Sequence, residues 1–307
     1  MSALPPPSSA TRALPRWLRL VSHLPWPLAY ALGSTLALLA RDVLRYRRTV
    51  VRANIAGAFP ELEPAARRHI ERTYYRRLGE LVAEVLKGAT LAPEALRARV
   101  RLSGIAEVRR ELGAGRSVLI VAAHQCNWEW LLLALSLELG YPLEAAYKPL
   151  HGERGEAWMR ALRGRFGGRM VPAKELLGRI LAQRETRAIA MVADQEPVTS
   201  EYKWWTRFLN RPTAFFMGPE KIAQVTRYAV FFAAMQRHGR GHYEVCFELL
   251  SPAREKLASG VLTERYARRV EAQVRASPAD WTWSHRRWKL RRPMYASAAD
   301  ALDQGNA

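Results

Sequence analysis

The chain has 307 residues, 48 Lys or Arg against 28 Asp or Glu, a formal net charge of +20, and 49% hydrophobic residues. That balance buries a core and excludes wholesale disorder, while a mean hydropathy below zero excludes a polytopic membrane bundle. Two cysteines, Cys126 and Cys246, cannot build a disulfide framework and show no metal-ligand spacing, which favours a reducing compartment. The basic surplus fits nucleic acid, an anionic membrane, or an acidic protein or substrate, and composition does not choose among them.

Residues 1–13 read as a disordered tail. Residues 14–48 read as a membrane anchor with a basic flank, because Leu20 to Ala40 contains no Asp, Glu, Lys or Arg. Twenty-one helical residues cover about 31 Å, enough for one span, but Pro25 and Pro27 disfavour continuous helix before Pro27, and Pro27 to Ala40 covers only about 21 Å. A single span and a shallow anchor therefore both remain open. A cleaved signal peptide competes with them, but Arg41, Arg45, Arg47, Arg48 and Arg52 follow at once and resist translocation. Retention is expected, with the bulk of the chain cytoplasmic.

From Pro64 to Lys87, Ala66, Ile70, Tyr74, Leu78, Val82 and Leu86 make a four-residue stripe beside Arg67, Arg68, Arg72, Arg76 and Arg77. This spacing predicts an amphipathic helix, packed on the core with a solvated basic face. Beyond Arg99, short apolar runs alternate with helical stretches. Strands are expected at 117–123, 143–147, 188–193, 229–235 and 243–250, and helices at 128–139, 155–166, 174–183, 218–226 and 260–276. The alternation predicts an α/β domain over 49–295 with a mainly parallel or mixed sheet flanked by helices, then a disordered tail at 296–307. No Gly-rich phosphate loop is present, so no nucleotide or other cofactor is expected.

The block that carries chemistry is Val118-Leu-Ile-Val-Ala-Ala-His124-Gln-Cys126-Asn127-Trp128-Glu129. An apolar strand runs into a histidine, and a carboxylate follows five positions later where a helix begins. In continuous helix that step is about 500°, which separates the two side chains. A turn between strand and helix can instead bring Glu129 back to the imidazole, where a carboxylate on one ring nitrogen supports proton uptake at the other. His124 and Glu129 are the expected catalytic pair. A rival is a Cys126–His124 nucleophile passing through an acyl-thioester. Asn127 is open between a place at the substrate and a helix cap.

The block His124-Gln-Cys-Asn127-Trp128-Glu129 resembles the H-x-x-x-x-[DE] signature of the glycerolipid acyltransferase superfamily, in the form typical of bacterial lipid A biosynthesis (late) acyltransferases and their lysophospholipid-acyltransferase-like relatives. Further blocks resemble that family in order: Ala193-Asp194-Gln195-Glu196-Pro197, then Phe208-Leu-Asn-Arg211-Pro-Thr-Ala-Phe215, then Trp281-Thr-Trp283-Ser-His285-Arg286-Arg287-Trp288-Lys289. The resemblance covers roughly residues 14–295. It implies a membrane-associated O-acyltransferase at the cytoplasmic face of a bacterial inner membrane, moving a fatty acyl group from acyl carrier protein or acyl-CoA to a hydroxyl of a lipid A precursor or related lipid. It also implies His124 as general base oriented by Glu129, with Asn127, Asp194, Gln195, Arg211, Arg286 and Arg287 as substrate-binding candidates. The family commonly carries an Arg before the Asp-Gln strand, where this chain reads Val171-Pro-Ala-Lys174-Glu; Lys174, Arg169 or no residue at all takes that place. The rival class is a non-catalytic binder of anionic membranes. Nucleic acid is not expected, because no recognition motif accompanies the charge.

Overall fold

The computed structural model describes residues 16–149, 152–198 and 202–290. Both expected tails lie outside the described residues. The chain opens with helices α1 (Arg16–His23), α2 (Trp26–Asp42), α3 (Arg48–Ala58), α4 (Pro64–Gly88) and α5 (Pro93–Arg97). The α/β portion then runs β1 (Val100–Ser103), α6 (Ile105–Gly113), β2 (Val118–Ala122), α7 (Trp128–Glu138), β3 (Leu143–Tyr147), α8 (Glu153–Arg163) and β4 (Arg169–Pro172). It continues with α9 (Leu176–Ala182), β5 (Ala188–Val192), β6 (Lys203–Phe208), β7 (Arg211–Phe216), α10 (Gly218–Thr226), β8 (Ala229–Gly239), β9 (His242–Ser251) and α11 (Val261–Ala276).

Seven strands form one sheet in the order β1-β9-β8-β2-β5-β3-β4, while β6 and β7 pair as a separate antiparallel hairpin. Every neighbour pair in the large sheet is parallel except β8 with β9. This is the expected mixed, mainly parallel sheet. The central strand β2 (VLIVA) is buried at every position because helices cover both faces. Its alternate residues feed two cores: Leu119 and Val121 one, Val118, Ile120 and Ala122 the other.

α2 is shorter than a bilayer-spanning helix, and no helix among the described residues is long and apolar enough to cross a membrane. Pro27 sits in its first turn, where the missing N–H costs nothing. One face carries the small residues Ala29, Gly33 and Ala37, with Tyr30, and packs antiparallel on α4. At Gly33 and Gly79 the two backbones come so close that a Cβ on either would collide with the other's carbonyl oxygen. The opposite face leaves Leu28, Leu32, Leu36 and Leu39 exposed, and Val43 and Leu44 extend it.

α4 forms as expected and buries part of the anticipated stripe: Tyr74 is in the core and Ile70 and Leu78 pack against it. Val82 is exposed, whereas Tyr75, Gly79, Glu80, Ala83 and Glu84 are buried. The helix is covered on more than one side, by α2 and by the sheet domain, so a single apolar stripe does not describe it. Arg68, Arg72 and Arg76 remain on solvent, as the basic-face reading required.

Candidate active site

The site is built where β2 and β5 end. These strands are parallel and in register, Ala122 opposite Val192. Two residues past each end the chain places His124 and Asp194, so the register sets them side by side. The imidazole Nδ1 lies 2.6 Å from Asp194 Oδ1, and the backbone N–H of His124 donates to Asp194 Oδ2 at 3.0 Å. Trp281 Nε1 donates to the same Oδ2 at 2.7 Å. Burial pushes the Asp194 carboxyl up, but the charge and hydrogen bonds of His124, with the Trp281 bond, hold it below the ordinary aspartate value. With Nδ1 occupied, Nε2 is the nitrogen left for a ligand.

Glu129 was expected in the place Asp194 takes. It lies in the first turn of α7, and its carboxylate is held bidentately by Arg163, at 2.8 Å from Nε and 2.6 Å from Nη2. Trp128 Nε1 adds a bond at 3.2 Å. The turn at 124–127 does not curl Glu129 back to the imidazole because the strand register has already supplied a carboxylate there. Burial lowers the Arg163 pKa, but Glu129 outweighs it and holds the guanidinium charged.

His124, Trp128, Glu129, Arg163 and Gln195 line one end of a cavity of about 460 Å³. Its walls are apolar: Ile120 and Ala122 from β2, Leu131, Leu132 and Leu135 from α7, Ala145 from β3, Met170 from β4, and Ala190 and Val192 from β5. A mainly apolar cavity with a few polar groups is the usual form of a small-molecule site.

The other expected residues separate. Asn127 is wholly buried; its Oδ1 accepts the Trp130 N–H at 3.0 Å and its Nδ2 donates to Glu84 at 2.8 Å, so it caps α7, and it does not line the cavity. Asp194, expected to bind acceptor, is committed to His124 and Trp281. Gln195 is exposed and lines the cavity. Arg211 lies over the Trp288 ring, 4.4 Å from its centroid, and Arg286 is exposed; neither lines the cavity. Arg287 is buried and does not line the cavity. The Cys126 nucleophile is also set aside: the thiol is buried, donates to Met235 O at 3.5 Å, and is pushed far up by desolvation. Of the candidate replacements for the family arginine, Arg169 forms an exposed pair with Glu185 at 3.5 Å and Lys174 does not line the cavity. The arginine at the cavity is Arg163, which the sequence reading missed. Its only signal was its place at the end of a helix leading back to the sheet.

A model of the family described as bacterial lipid A biosynthesis acyltransferase matches residues 13–290. The chain belongs to that family. It is accordingly a transferase of acyl groups. It is 23% identical over 284 residues to the lipid A biosynthesis palmitoleoyltransferase of Escherichia coli (strain K12), covering 88% of this chain and 87% of that one. The lipid A biosynthesis acyltransferase of Shigella flexneri matches with the same identity and coverage. The lipid A biosynthesis lauroyltransferase of E. coli is 24% identical over 280 residues, 89% of each chain.

Proposed function

We propose that this family member moves a fatty acyl group from an acyl thioester, on acyl carrier protein or CoA, to a hydroxyl of a lipid A precursor or a closely related lipid. The observation that carries this reading is the His124–Asp194 pair at the polar end of the apolar cavity. The acyl chain occupies the slot, which brings the thioester carbonyl to His124. Nε2 takes the proton from the acceptor hydroxyl as its oxygen attacks, while Asp194 fixes the tautomer and stabilises the imidazolium. The tetrahedral oxyanion meets Arg163, oriented by Glu129, and the backbone amides of Trp128 and Glu129 at the start of α7. Glu129 thus acts through Arg163. The thiolate leaves readily, because a thiol has a pKa of about 8.5.

The exposed leucine face of α2 lies in an anionic bilayer surface, with exposed Arg45 just beyond its end reaching headgroups beside Arg48 and Arg52, which both pair with Glu71. This makes α2 a shallow anchor at the cytoplasmic face of the inner membrane.

Transfer of labelled acyl groups from acyl carrier protein or CoA to lipid A precursor by purified protein tests the reading. His124→Ala is expected to abolish transfer; activity indifferent to that change would remove the general base. A second expectation concerns the slot. Ala190→Leu adds three carbons to its wall, so the preferred acyl chain shortens by about two carbons, read by mass spectrometry of products from mixed donors. An unchanged chain-length profile would place the acyl chain elsewhere.

A further inference from the structure

Arg286 and Arg287 are adjacent, yet one points to water and the other into the protein. Arg287 is 1% exposed, and none of its three guanidinium nitrogens has a hydrogen-bond partner. Its backbone is strapped down: the Arg287 N–H donates to His285 O at 2.9 Å, Asn54 Nδ2 donates to the same oxygen at 2.9 Å, and Trp288 Nε1 donates to Thr213 Oγ1 at 2.8 Å. A buried guanidinium with unmet donors is costly, and an apolar side chain of similar size is commonly neutral or stabilising in such a place. Packing therefore does not account for the charge.

What surrounds it does. The face of Phe215 lies 4.6 Å from the guanidinium carbon. Asp194 and Glu196 from the segment after β5 and Tyr266 from α11 share its field, and His285 from its own strap lies within that field too. Asp194 is the carboxylate that holds His124. Resting on the reading of His124 as general base, we propose that Arg287 is a positioning residue: its buried positive charge favours Asp194 as the carboxylate that holds the His124 ring, and so extends the working range of the pair to lower pH.

The local titrations agree with that field. Burial, with Arg287 next, drives His285 down to about 4, so it stays neutral and its Nε2 accepts the Glu196 N–H at 3.1 Å. Arg47 also acts on the strap, and Glu129 with Arg163 faces His124 from the cavity as a paired, nearly cancelling charge. Arg287 itself falls to about 10 through burial, opposed by Asp194 and Glu196, and remains charged at neutral pH.

The sign follows. Removing a neighbouring positive charge makes the pair easier to protonate, so protonation occurs at higher pH and the active, unprotonated form is lost sooner on acidification. Arg287→Met is expected to move the acid limb of kcat/KM up by about one pH unit and to lower activity below neutrality by about tenfold, with Tm unchanged or raised. Arg287→Lys retains charge and is expected to restore most of the limb. NMR titration of the His124 ring, wild type against Arg287→Met, reads the same field without catalysis; its midpoint moves up. If wild-type protein transfers no acyl group, the functional reading fails while this titration still stands. A midpoint and acid limb unmoved by Arg287→Met would overturn the proposal, as would a Tm collapse restored by Lys with no change in either.

Discussion

Asp194→Asn lowers kcat for acyl transfer by about three to four orders of magnitude, the loss seen when a histidine base is left in the wrong tautomer. The side chain stays the same size, so Tm falls by only a few degrees. The chemistry is what changes. Asp194 accepts from the His124 ring, the His124 backbone N–H and Trp281 Nε1. An amide has one acceptor oxygen and an NH2 that must then face one of these donors. If the oxygen stays with the backbone and Trp281, the NH2 turns Nδ1 into an acceptor and puts the proton on Nε2, the nitrogen that must accept the proton of the attacking hydroxyl. Glu129→Gln is expected to cost less, about ten- to a hundredfold, because it loosens Arg163 without touching the tautomer. Single-turnover transfer with both variants separates the two carboxylates. A near wild-type Asp194→Asn beside a thousandfold loss in Glu129→Gln would return the orienting role to Glu129.

That contrast also marks how far the sequence could be read. Strands 143–147 and helix 218–226 match their observed bounds because runs such as LEAAY and a Gly-Pro helix start are local signals. His124 was legible for the same reason, at the end of an apolar strand. Its partner was not. Whether Asp194 or Glu129 reaches the imidazole depends on the register of β2 against β5, a contact over seventy positions that no local spacing encodes. Arg163 was hidden likewise: it is one of many arginines, and only the packing of α8 beside α7 selects it. The edge strands β1 (VRLS) and β4 (RMVP) are only four residues long and each contains an arginine, so neither gives a strong local signal. The hairpin β6–β7 went unpredicted; its two strands pair only with each other, apart from the large sheet. Arg287 looked like its neighbour Arg286, and only the fold separates the inward charge from the outward one.

The turn that presents His124 also depends on a carboxylate far from it in sequence. Glu84 on α4 is wholly buried and accepts from Tyr30 OH of α2 at 3.1 Å, Tyr243 OH of β9 at 2.6 Å and Asn127 Nδ2 at 2.8 Å. Desolvation pushes its carboxyl up, while Arg237 and these hydrogen bonds oppose the rise. Glu84→Ala leaves three buried donors without an acceptor, at about 1–3 kcal/mol each, so the expected destabilisation is about 3–9 kcal/mol and the Tm falls by about 10 °C or more. Glu84→Gln keeps one acceptor oxygen and loses roughly half as much. Activity declines further than stability requires, because Asn127 caps the helix whose first turn holds Glu129, and a cap freed from Glu84 lets that turn fray. Hydrogen exchange reads this directly: the Trp130 N–H, bonded to Asn127 Oδ1, exchanges faster in Glu84→Ala below its melting range. Tyr30→Phe cuts only the arm to α2, and if it too accelerates that amide, the seating of the surface helix and the order of the catalytic turn are linked through Glu84. A Glu84→Ala protein that melts within a degree or two of wild type would show that the donors find other partners, and would end the case for Glu84 as the tie between them.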